Sequence, residues 1–83
     1  MAIELKTLGP AHPSVATTYN NLGLAYSTKG EYDKAIDDFT EVIRLEPEAP
    51  DGFTLRALAY RQIGDQARAD ADLAKVETLK AKK

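Results

Sequence analysis

The chain has no cysteine, no tryptophan, one methionine and one histidine among 83 residues. Without cysteine there is no disulfide framework, no thiol nucleophile and no thiolate metal site. The single histidine, His12, sits beside Pro13, where an imidazole serves more readily as a capping or packing residue than as a base or ligand. No apolar run is long enough to span a membrane and no segment has the apolar centre of a signal peptide, so the expectation is a soluble cytoplasmic protein. An excess of basic charge is also missing. The net charge of −2 argues against general nucleic-acid binding, which needs cations to neutralise phosphates.

What is present is the composition of an ordinary globular domain, 43% hydrophobic and 29% charged. A chain of this length forms one small domain that buries about 60–65% of its unfolded surface. The charge is uneven: residues 31–51 carry eight acids against Lys34 and Arg44, whereas residues 52–83 carry seven bases against four acids. Such a chain can associate head to tail; the plainer reading is a solvated helix face and a frayed cationic tail.

The stretch from Tyr19 to Pro47 organises the rest. Tyr19, Leu22, Gly23 and Tyr26, then Tyr32, Ala35, Ile36, Phe39, Val42 and Ile43, fall at helical spacing on either side of Gly30. Gly30 follows Lys29, as in a left-handed C-terminal cap beside a last-turn cation, and the acids Glu31 and Asp33 open the next helix. So short a connection makes an antiparallel helical hairpin.

Displacing the chain by 34 residues brings the pattern back. Leu24, Ala25, Tyr26, Gly30, Ala35, Asp38, Val42 and Leu45 meet identical Leu58, Ala59, Tyr60, Gly64, Ala69, Asp72, Val76 and Leu79. Only the Asp38/Asp72 identity falls outside apolar, aromatic or glycine sites. The run Tyr19-x2-Leu22-Gly23-x2-Tyr26, followed by Ala35, Phe39 and Pro47, resembles the tetratricopeptide repeat signature with Tyr in place of its usual Trp. In residues 50–83 the match is looser: Arg56-Ala57 replaces Leu-Gly, and Ala81 stands where Pro is usual. The segment LGPAHPSVA resembles the linker of kinesin-light-chain-like tetratricopeptides, and residues 2–8 read as the end of a preceding second helix.

The expected organisation is therefore an all-α α-α hairpin solenoid, a right-handed superhelix in a single domain. It comprises a partial helix and linker over 1–15, one repeat over 16–49 and another over 50–83. Helices are expected over about 13–29, 31–45, 50–64 and 65–79, the second stopped by Glu46-Pro47 and the third opened by Pro50. In the last helix Gln66, Asp70 and Glu77 replace Tyr32, Ile36 and Ile43, while Ala69, Leu73, Val76 and Leu79 stay apolar. A polar outer face is how a terminal repeat avoids exposing a stacking surface, so the last helix is expected to cap the stack. The recurring aromatics and Ala25, Ala35, Ala59 and Ala69 are expected at core and close helix-crossing positions.

No catalytic constellation is present. The glycines are spaced as caps and turns, Asp37 and Glu41 make at best a weak calcium pair, and no Ser or Thr has a base at defined spacing, so neither metal nor cofactor is expected. The resemblance implies instead a protein-interaction module that binds a peptide or partner helix on a concave face formed by the first helix of each repeat. Position by position, that face comprises Thr17, Asn20, Asn21, Leu24 and Thr28, then Asp51, Thr54, Leu55, Leu58, Arg61 and Gln62. Asn can hold a peptide backbone, Leu24 and Leu58 give apolar footing, and Arg61 can pair with a carboxylate. The chaperone-tail clamp of some members is absent, because Asn20, Leu24 and Leu55 replace its Lys and Asn residues. The plain alternative is that Asn20, Asn21 and Thr54 are polar residues on a solvated face. A second function class is a self-assembling structural module, a homo-oligomer formed through the first repeat or by swapping. An enzyme comes third.

Overall fold

The structure is a computed structural model that describes residues 13–81. The stub at 2–8, the leading part of the LGPAHPSVA linker and His12 lie outside the described residues. Four helices follow one another: α1 (Pro13–Lys29), α2 (Tyr32–Leu45), α3 (Asp51–Gln62) and α4 (Gln66–Ala81). Among the described residues there is no strand. Each helix packs on the next, so the described chain is two antiparallel hairpins placed side by side in an all-α arrangement.

Both hairpin turns are made by one device. Gly30 and Gly64 each hold φ at +84°, a left-handed conformation that side chains with a Cβ resist. At the first turn the Gly30 N–H donates to Ser27 O (3.0 Å) and the Glu31 N–H to Tyr26 O (2.9 Å). At the second, Gly64 donates to Arg61 O (3.1 Å) and Asp65 to Tyr60 O (2.9 Å). These paired bonds satisfy carbonyls that a helix end leaves open. Asp65 then accepts from the Arg68 N–H through Oδ1 (3.2 Å), a side-chain cap on α4. Glu31 makes no such cap and pairs instead with Lys34 (3.1 Å) and Lys29 (3.7 Å).

Two clusters form the core. Phe39 is buried with Ala35 of its own helix and Ala59 of α3, and Tyr26, Tyr32, Ile36 and Leu55 pack around them. Phe53, Val76 and Leu79 form the second, with Ile43 reaching across from α2. Gly23 lets α1 approach the Phe39 ring: a Cβ there would lie 2.5 Å from the ring edge.

The expected close helix crossing at Ala25 is corrected, and two further apolar positions are open. Ala25 is exposed, Leu22 is 44% exposed and Leu73 is exposed, although their 34-residue counterparts Ala59, Arg56 and Phe39 are buried or half-buried. The reason is one of neighbours. Helix α3 has α2 in front of it and α2 has α3 behind it, whereas no described element lies in front of α1 or behind α4. Gln66, Asp70 and Glu77 are indeed exposed on that outer side of α4.

One buried group was not foreseen. Asp72 is 5% exposed, and Arg56 of α3 donates to it twice, Nε to Oδ2 at 2.9 Å and Nη2 to Oδ1 at 2.8 Å. Arg56 also donates from Nη1 to Thr40 Oγ1 (3.2 Å), whose own proton goes to Ile36 O (2.7 Å). One guanidinium thus joins α2, α3 and α4. Its bond to the Asp72 carboxylate raises the pKa of Arg56 above the ordinary value.

Candidate binding groove

Helical periodicity sets two stripes against each other. On α3, Asp51, Thr54, Leu55, Leu58 and Gln62 recur every three or four residues and share one side. On α1 the corresponding stripe is Thr17, Asn20, Leu24, Ser27 and Thr28. Between them lies a hollow of about 330 Å³ lined by Leu24, Ser27 and Thr28 from α1, Leu55, Leu58, Ala59 and Gln62 from α3, and Tyr32 and Phe39 from α2. Leu24 and Leu58 are 41% and 48% exposed in it, and no lining residue is charged.

The groove continues toward the start of α3. Asn20, Asp51, Thr54 and Leu55 line a second hollow of about 280 Å³, which shares Leu55 with the first. A smaller one of about 70 Å³ lies among Ala16, Thr17, Asn20, Val42, Glu46 and Asp51. Neither has a basic lining residue. Asn20 Oδ1 is buried and has no hydrogen-bond partner. The Thr54 hydroxyl donates to Pro50 O (3.1 Å) and the Thr28 hydroxyl to Leu24 O (3.0 Å), so each presents only lone pairs outward. Among the described residues no cation pairs with Glu46 or Asp51.

Of the expected face, Thr17, Asn20, Leu24, Thr54 and Leu58 line these hollows, as do Thr28, Asp51, Leu55 and Gln62. Asn21 and Arg61 are exposed beside the stripes and are not among the lining residues. Ser27, Tyr32, Phe39 and Glu46 were not anticipated. Tyr32 follows directly on the Gly30 turn, a position from which the first turn of α2 can reach over α1, and that proximity is the signal that was available.

The rings of Tyr26, Phe53 and Tyr60 each have at least one of the chain's own cations over them. Lys34 lies over Tyr26 at 5.6 Å, Arg56 over Phe53 at 5.9 Å, and Arg56 and Arg68 over Tyr60 at 5.6 and 6.0 Å. No group of three or more His, Asp or Glu side chains among the described residues is placed to hold a metal ion. Among those residues no helix is long and apolar enough to cross a membrane.

The first hairpin closes on Gly30 and packs Gly23 against Phe39 beside Ala35. Residues 16–48 match the tetratricopeptide repeat. This repeat generally mediates protein–protein interaction. The Photosystem I assembly protein Ycf3 of Cyanophora paradoxa is 27% identical over 62 residues, covering 75% of this chain and 36% of that protein. The chain thus spans about a third of the length of this relative. The groove between α1 and α3 lies along the first helices of the two hairpins.

Proposed function

We propose that this chain binds a polypeptide partner in the groove between α1 and α3, in an extended or helical conformation, and does no chemistry there. The observation that carries the reading is the pair Leu24 and Leu58, exposed across a hollow with an uncharged lining. Two large apolar side chains held in water at one concave place are stabilised when a partner covers them, at about 25 cal/mol per Å² of apolar surface removed. The assembly role named for Ycf3 fits a module that holds other polypeptides.

The test is a random peptide library displayed on phage and selected against the full chain, followed by titration of enriched peptides into wild type and Leu58→Ser. Leu58 is exposed, so the change leaves the fold intact while removing apolar footing. Enriched peptides that bind wild type and lose at least tenfold affinity for Leu58→Ser support the groove. Equal affinity for both proteins rejects it.

Self-assembly is the second reading, favoured by Leu22, 44% exposed on α1 with no described neighbour. The polar Asp70 and Glu77 on the outer side of α4 oppose burying that side against another copy. Light scattering over a hundredfold concentration range separates the two. A constant monomer mass removes self-assembly, and a mass that rises with concentration makes Leu22 an interface residue.

A further inference from the structure

Resting on that reading, we infer that the groove selects an extended partner segment bearing an apolar side chain and, about three residues away, a lysine or arginine. The apolar side chain occupies the Leu24–Leu58 hollow and the cation reaches the Asp51 end. The groove changes character along its length. Around Leu24, Leu55 and Leu58 it is uncharged; around Asp51 it is lined by Glu46 and Asp51 and by no base. Of the other polar groups at that end, the Thr54 hydroxyl and Asn20 Oδ1 are acceptors, beside the Asn20 amide N–H and the Thr17 hydroxyl. The Thr54 hydroxyl proton already goes to Pro50 O, and Asn20 Oδ1 is buried with no donor facing it. A groove end lined by two carboxylates and no base is complementary to a donor that carries positive charge.

The spacing follows from two rises per residue. Leu58 lies seven residues after Asp51 on the same side of α3, about 10 Å along the helix at about 1.5 Å per residue. An extended peptide advances about 3.3 Å per residue, so three residues cover that distance. Arg61, exposed beside the stripe three residues beyond Leu58, adds positive charge near that end of the groove and so disfavours a partner cation there.

The library selection decides this separately from the proposed function. The expected result is enrichment of Leu, Ile or Phe with Lys or Arg three positions away, in either chain direction. An enriched peptide should lose about tenfold affinity when its base is changed to Glu, and a similar amount when Asp51→Asn or Glu46→Gln replaces wild type. Raising salt should weaken the wild-type complex more than either variant complex. Peptides enriched for apolar residues alone, or for apolar residues beside Asp or Glu, overturn the charge selection and leave the groove reading standing. A library with no enrichment over a blank surface overturns both. Melting curves identify a misfolded Asp51→Asn protein, and Glu46→Gln, outside the helices, then carries the test.

Discussion

Arg56 and Asp72 meet in a two-pronged contact, 2.9 and 2.8 Å, between α3 and α4. The positions 34 residues earlier are Leu22 and Asp38. There the acid is kept but the base is gone, and Asp38 Oδ2 is buried without a hydrogen-bond partner. The two hairpins thus resolve one buried carboxylate in two different ways.

Removing the base from the second hairpin should be costly. Arg56→Ala leaves Asp72 buried and unpaired and frees Thr40, which is expected to cost on the order of 3 kcal/mol. That is a large share of the stability of a domain this small, roughly 4–12 kcal/mol at 0.05–0.15 kcal/mol per residue. Arg56→Lys keeps the charge but not the fork, and should fall between. Urea denaturation followed by circular dichroism measures both, and an Arg56→Ala midpoint equal to wild type would show the pair to be energetically idle.

Adding the base to the first hairpin should help. Leu22→Arg copies the Arg56–Asp72 geometry onto Asp38 at a position already exposed, so little burial is lost. The expected gain is about 1 kcal/mol. A double-mutant cycle with Asp38→Asn assigns it: the gain should vanish when the acid is gone.

Asp38 also predicts a pH dependence. Burial first, and then the neighbouring Asp37 carboxylate, raise its pKa above the ordinary value of 3.8. A raised folded value means the folded chain holds this proton more tightly than the unfolded chain. Asp38 therefore opposes folding above its folded pKa, and the penalty is lifted as pH falls through that value toward 3.8. Asp38→Asn should raise Tm at pH 7 by roughly 4–8 °C per kcal/mol relieved, and the advantage should shrink in acid. An advantage that grows in acid would contradict the assignment.

Identical alanines should respond differently. Ala59→Leu and Ala35→Leu overpack the cluster around Phe39 and should each cost about 1–3 kcal/mol. Ala25→Leu, at the position matching Ala59, faces solvent and should stay within about 0.5 kcal/mol of wild type. Thermal melts of the three proteins check this, and equal losses at Ala25 and Ala59 would refute the stacking order of the helices.

Much of this architecture was legible from local chemistry. Gly30 and Gly64 end helices because a left-handed residue is needed there, and Glu46-Pro47 ends α2 because proline cannot donate to the ladder. The stripes Thr17-Asn20-Leu24 and Thr54-Leu58 were implied by the resemblance to the tetratricopeptide signature, carried over position by position. These are properties of a residue and its near neighbours in sequence. Tertiary structure decided which of two identical residues is buried. Ala25 and Ala59 are the same residue in the same local pattern, and their environments differ because α2 lies in front of α3 and no described helix lies in front of α1. It also decided that Arg56 reaches Asp72, sixteen residues on, and that the groove runs from uncharged to anionic. Charge and burial at a site are set by what a neighbouring helix brings to it, and the period within one helix carries no record of that neighbour.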